Sequence, residues 1–251
     1  RRHHRRGLED GLAAVGRGWS LTPVPLEYTL EFFRQVSFET PKFIINSLVF
    51  CAIAVALCIA IGVPMAWIMA RTKAPGRGAM DALTTLMLAI PGTAVGIAFV
   101  RAFNFQLPFS EESLTSLWII LPLVLAVRRL PYTVRGSYSS LLLVHKSMEE
   151  AAESVGATKL RTFRDITVPL VWKGIFVGAL FSFITSIQEA SSTIFLTLAG
   201  NEMIPFGIFT FYIAGSQSQA AALGVILIAL CAVSLFIVNR IAGTRVGGLF
   251  G

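Results

Sequence analysis

The stretch Glu149-Glu150-Ala151-Ala152-Glu153-Ser154-Val155-Gly156, followed after residues 157–165 by Ile166-Thr167-Val168-Pro169, decides the fold of this chain. It is a polar segment set between two long apolar ones. Ser147 can act as N-cap, with Glu149, Glu150 and Glu153 near the positive end of the helix dipole. Ala151 and Ala152 favour helix and carry little bulk, so a partner surface can approach closely. Gly156 permits a left-handed C-cap and a sharp turn. A second short helix is predicted over Leu160 to Asp165. Ile166 and Val168 then lead into the next apolar run, where Pro169 suits a first helical turn. The result is a helical hairpin projecting from its neighbours. A generic hairpin with surface charges shares each local feature, but the combined spacing is far more specific. So many charges in one interior loop of a greasy chain point to a soluble partner docking there.

The surrounding chain is greasy throughout. Of 251 residues, 55% are hydrophobic and only 14% charged, with a mean hydropathy of +0.71. Soluble domains carry about 25% charged residues. Spanning the hydrocarbon core takes about 20 apolar residues, and five segments meet that length. They run from about Phe43 to Ala70, Met80 to Phe103, Leu117 to Leu143, Val168 to Leu198 and Ala220 to Ile241. The third is interrupted by Arg128, Arg129 and Pro131. Ile204 to Ala214 is apolar but too short to span and reads as a surface or re-entrant piece. The fold class is therefore all-α, a polytopic transmembrane bundle with a cytoplasmic helical hairpin.

The net charge is +7, but the basic residues fall in loops between apolar runs. That is the positive-inside pattern, not a nucleic-acid face. Arg71 to Arg77 and His145 to Arg164 are basic and should be cytoplasmic, as should the tail with Arg240 and Arg245. Asn104 to Ser116, with Glu111 and Glu112, and Thr197 to Gln219 lack Lys and Arg and should lie outside. Residues 1–42 would then be external despite four arginines at their start. A preceding helix in a longer product, or arginines at a membrane surface, would resolve the conflict. The start at Arg1 without Met suggests a fragment or one half of a longer product, and no apolar run follows to form a signal peptide. Leu26 to Val36 reads as a short amphipathic surface helix. The organisation is thus an N-terminal segment 1–42, a membrane domain 43–241 with its hairpin at 145–168, and a tail 242–251.

Prolines 64, 91, 122 and 131 mark the apolar runs; each frees a backbone carbonyl and can kink its helix. Pro91-Gly92-Thr93-Ala94-Val95-Gly96 offers small residues for close helix approach. Ordinary packing explains any one of these. Cys51, Cys58 and Cys231 lie in apolar runs without metal-site spacing and read as small buried residues. Glu189 falls inside the fourth run beside Gln188, Ser191, Ser192 and Thr193. A charge at that depth is costly and faces a bundle interior or water-filled path. Two readings stay open: a residue of a translocation path or gate, or a structural pair with Arg101, Arg128 or Arg129. No nucleophile–base pair, metal motif or P-loop is present, so no catalytic residue is assigned. His145 carries no assigned chemistry.

The hairpin spacing resembles the cytoplasmic coupling loop of ABC importer permeases. From about Ser20 to Arg240 the chain is similar to binding-protein-dependent permeases with the methionine-importer-type core, most of all the ferric-iron and aminoethylphosphonate branch. Ala70 to Arg77, Ala89 to Ile97 and Arg129 to Arg135 carry this resemblance further. Two departures stand out. Val168 replaces the usual Leu before Pro169, and Gln188-Glu189-Ala190-Ser191-Ser192 stands where the iron branch has Arg-Glu-Leu-Ser. The resemblance implies a bacterial inner-membrane transport subunit that is not itself an enzyme. ATP and Mg would sit on partner ATPases coupled through Glu150, Ala151, Ala152, Gly156, Ile166 and Pro169. A second permease subunit or half and an external solute-binding protein would complete the machine. ATP-driven closure of the ATPases would move the hairpins and open the path outward. In the iron branch two halves are often fused in one chain. Ferric iron is the implied cargo, with aminoethylphosphonate, thiamine, polyamine or another small solute as alternatives. A secondary carrier would need a midplane ion site and often an inverted repeat, and neither is visible.

Overall fold

The computed structural model describes residues 30–105 and 113–242. The four N-terminal arginines, residues 26–29 of the expected surface helix, Glu111, Glu112 and Arg245 lie outside the described residues. Helix α1 (Glu31–Arg34) continues as a π turn over Gln35–Glu39. Then come α2 (Lys42–Arg71), α3 (Arg77–Ala89), α4 (Gly92–Phe103), α5 (Ile120–Leu143), α6 (Lys146–Ser154) and α7 (Lys159–Thr162). Helix α7 runs through a second π turn, Phe163–Thr167, into α8 (Val168–Ile187); α9 (Ile204–Ile213) and α10 (Gln217–Ala242) follow. No strand occurs among the described residues.

Three helical stretches are long and apolar enough to cross a membrane: Lys42–Arg71, Lys159–Ile187 and Gln217–Ile241. Helix α5 has 24 residues, enough length at 1.5 Å per residue, but Arg128, Arg129 and Arg135 interrupt its apolar face. The second expected span is broken. Helices α3 and α4 meet at 112°, making either one bent span or a re-entrant loop. The break falls at Ile90-Pro91, where Ile90 is extended (ψ 129°), as the residue before a proline prefers. The fourth expected span is shorter than its apolar run. Helix α8 stops at Ile187, and residues 188–198 turn back through a 3₁₀ turn at Thr193–Phe195.

The long helices α2, α5 and α8 form the heart of the bundle. Toward one end, Phe50, Cys51, Ala54 and Cys58 of α2 meet Ile120, Leu121, Val124 and Leu125 of α5. Toward the other, Val63, Ala66 and Met69 pack with Val134, Leu141, Val171 and Ile175. Lipid is as apolar as leucine, so such helices associate through close contact and interhelical hydrogen bonds. Gly174, Gly178 and Ser182 stand four residues apart on α8, a small-residue stripe the reading by apolar runs passed over. A Cβ on Gly178 would lie 2.8 Å from the Tyr132 carbonyl oxygen, and one on Gly136 would lie 2.8 Å from that of Gly174. The Thr133 and Ser182 hydroxyls are 2.9 Å apart, and Ser182 also donates to the Arg129 carbonyl at 2.9 Å.

The two ends of α2 carry different attachments. At its start, Asn46 donates to the carbonyls of Gly200 and Glu202 at 2.8 and 3.1 Å, and Lys42 pairs with Glu202 at 3.0 Å. Val36 and Phe43 pack there with Ile204, Ala222 and Leu223. At its end, Arg71 meets the polar hairpin.

Candidate functional site: the polar hairpin and the buried arginine pair

The hairpin forms as expected, with its first arm shifted. Helix α6 starts at Lys146 with extended His145 as N-cap, so Ser147 lies within the first turn and does not cap. Gly156 closes the arm at φ 93°. Its N–H donates to the Glu153 carbonyl and that of Ala157 to the Ala152 carbonyl, both at 3.0 Å. This is a Schellman motif, which satisfies carbonyls the helix end would leave bare. Thr158 caps the second arm by accepting from the Arg161 N–H at 3.3 Å. Pro169 occupies the first turn of α8 as expected.

The alanine pair divides. Ala151 is exposed, but Ala152 is buried and faces inward. Its small size serves the packing of α6 against α7 and the π turn; the expected closeness to a partner falls to Ala151 alone. Glu150 is exposed and Ile166 half-buried. The tip presents apolar groups instead: Val155 is 87% exposed and Leu160 76%. Neither was singled out by the spacing, because a lone apolar residue in a polar loop gives no pattern.

At the base, Arg71 donates from Nε to Glu149 at 3.1 Å and from Nη2 to the Val144 carbonyl at 2.7 Å. The Thr167 hydroxyl donates to the same Glu149 oxygen at 2.9 Å. Glu149 had been read only as a charge near a helix dipole. The interior residue Thr167 of the Ile-x-x-Pro element thus reaches across to the residue before Glu150-Ala151-Ala152.

The second polar group lies deep in the bundle. Glu189 does not sit inside a span helix; it follows the end of α8 in the turn. It accepts from Arg128 at 3.1 Å and also from Arg129, and from Ser191 and the Ser192 N–H at 2.6 and 3.0 Å. Of the three arginines considered as partners, two adjacent ones on α5 pair with it and Arg101 does not. The turn fits tightly against the start of α4: a Cβ on Gly92 would fall 1.9 Å from the Ser191 hydroxyl and 2.0 Å from Arg128 Nη1. Gln188 and Ser191 are exposed, whereas Glu189 and Ser192 are buried. Arg101 lines a separate open cavity of about 420 Å³ with Ile97, Val100, Asn104 and Phe195. Among the described residues no group of His, Cys, Asp or Glu is placed to hold a metal ion.

Comparison with known proteins gives the family to which this fold belongs. The family model described as "binding-protein-dependent transport system inner membrane component" matches residues 62–247. The molybdenum transport system permease ModB of Escherichia coli is 32% identical over 81% of this chain and 95% of its own length. The ferric transport system permease FbpB of Actinobacillus pleuropneumoniae is 27% identical over 94% of this chain, which spans 34% of that protein's length. The sulfate permease CysT of Salmonella typhimurium is 29% identical over 74% of this chain and 72% of its own. In fold, the chain superposes on an inward-facing MetNI methionine ABC transporter with a TM-score of 0.64 at 17% identity, covering 84% of this chain and 98% of that one. It superposes on a bacterial alginate ABC transporter chain with a TM-score of 0.63 at 15% identity, covering 84% of each. With a family match over most of its length, the chain belongs to the binding-protein-dependent inner-membrane components, the permeases of ABC importers, and is a multi-pass inner-membrane transport subunit and not itself an enzyme.

Proposed function

We propose that the hairpin at residues 145–168 is the surface on which a soluble ATPase docks, and that the bundle supplies one half of a solute path. The observation that carries this is the tip. Val155 and Leu160 stand exposed on a hairpin whose turn is fixed by Gly156 and whose base is hydrogen-bonded. Exposed apolar side chains on a rigid polar loop suit a partner's pocket better than water. Glu150, Ala151 and Gly156 share that face, Ala152 and Pro169 shape it, and Ile166 joins it to the membrane. ATP and Mg belong on the docking ATPase. A second permease unit completes the path, and an external binding protein delivers cargo at the Lys42–Glu202 end. At the other polar group, Gln188 and Ser191 line the path, while the ion triad on Glu189 holds its wall closed.

The cargo is a small solute. Relatives named for ferric iron, sulfate and molybdenum match at similar identity, which does not single out ferric iron. Co-purification tests the docking reading. A Val155→Asp/Leu160→Asp variant should lose the ATPase while remaining folded in detergent; full retention of the ATPase would sink it. Titrating the complex with binding protein loaded with ferric ion, sulfate or molybdate, and reading stimulated ATP hydrolysis, identifies the cargo.

A further inference from the structure

Helix α6 is held loosely by its own residues: Ala152 is its one buried side chain. The second arm touches α2 through the edge-to-face pair Trp67–Phe163, with ring centroids 5.4 Å apart. The first arm has one strong tie to α2, and that tie is Arg71. Its side chain is 6% exposed and that of Glu149 12%. Through these two groups four elements converge: the end of α2, the Val144 carbonyl just past α5, the first turn of α6, and Thr167 at the entry to α8. Arginine suits the position because its fixed fork of donors reaches a carboxylate and a carbonyl at once. Helix α2 then runs 30 residues to the opposite end of the bundle.

We propose that Arg71 and Glu149 are positioning residues for energy coupling: they convert a displacement of the docked hairpin into movement of α2 and α5 together. This rests on the docking reading above. A hairpin free to tilt on its base would absorb an ATPase's stroke locally. A hairpin clasped by a shielded ion pair passes the stroke to the spans.

The test uses the whole complex with its ATPase and loaded binding protein, reconstituted in proteoliposomes. The readout is the ratio of stimulated to basal ATP hydrolysis, with solute moved per ATP. Losing hydrogen bonds to a charged group corresponds to about a tenfold effect. Arg71→Met should therefore lower the stimulation ratio about tenfold, while the ATPase still co-purifies at the normal ratio. Arg71→Lys keeps the charge and one contact and should fall between. The pair Arg71→Met/Glu149→Leu should be no worse than the more damaging single change, because both break one tie. Effects that multiply would mean Glu149 acts on the ATPase directly, and would overturn the proposal. So would unchanged stimulation in Arg71→Met. Should Arg71→Met fail to assemble, Arg71→Lys decides: reduced stimulation with bound ATPase supports the proposal, and unaltered stimulation overturns it. Failure of the unmodified chain to bind any ATPase would instead defeat the docking reading.

Discussion

Glu149 and Glu189 are both carboxylates held by arginine, yet they are held differently. Glu149, at the rim of the bundle, receives one arginine and one hydroxyl. Glu189, deep in the bundle, receives two arginines, a hydroxyl and a backbone N–H. Its side chain is also the more enclosed, at 4% exposure against 12%. Desolvating a carboxylate costs several kcal/mol, so depth demands more partners. The rim carboxylate is less enclosed, so less of its desolvation has to be offset and a lighter tie suffices. The lighter tie can move with a docked partner, whereas the deep cluster fixes a wall.

The strongest challenge to this contrast is Glu189→Leu, which would leave two arginines facing each other in the bundle. Removing one partner of a buried charge cluster costs about 3–5 kcal/mol. A large drop in the thermal midpoint of the detergent-purified protein is expected; a drop no larger than that of Glu149→Leu would erase the distinction between the two sites. Gly178→Leu comes next. Its side chain would press on the Tyr132 backbone, and overpacking costs about 1–3 kcal/mol. Thermal denaturation should show a loss independent of the ATPase. Gly156→Val should act at the hairpin alone. A β-branched residue resists φ 93°, at a cost of about 1–2 kcal/mol. ATPase co-purification should weaken while the thermal midpoint barely moves; the opposite result would show that the hairpin and bundle do not separate.

The smallest effect belongs to a third pair, Lys42–Glu202, at the far end. Burial would raise the Glu202 carboxyl, but backbone N–H donors and Lys42 outweigh it and hold it below its usual value. A depressed folded pKa stabilises above the unfolded carboxylate value, about 4.3, and that contribution is lost as pH falls through the folded value. Hydrogen-exchange protection around Asn46 and residues 200–204, measured relative to the intrinsic rate at each pH, should therefore fall on acidification. Glu202→Gln should already show reduced protection at neutral pH, and that protection should change little with acid. Equal pH responses in the two proteins would remove Glu202 as the cause.

The hairpin was legible because its determinants are local. A glycine four residues past an alanine pair and a proline at a helix start act through φ angles and short-range hydrogen bonds, which spacing encodes. The long apolar runs were legible for a similar reason, since hydrocarbon thickness sets their length. The 112° break was half legible: Pro91 marked the place, but the direction of the turn depends on what Gly92 packs against. That Ala152 faces inward was hidden, because small size suits burial and partner contact equally. The stripe Gly174, Gly178, Ser182 was readable from its four-residue period, although its partner helix was not.

The sequence by itself determined that this chain is an all-helical membrane bundle with a polar hairpin between two apolar runs. Those properties follow from local propensity and from the exclusion of charge from lipid. Only the tertiary structure decided which of three arginines meet Glu189, that α8 stops before it, and that Arg71 clasps Glu149. Each of those partners lies 60 or more positions away along the chain. At such separation no spacing rule selects a contact; the crossing of α2, α5 and α8 over their glycines does.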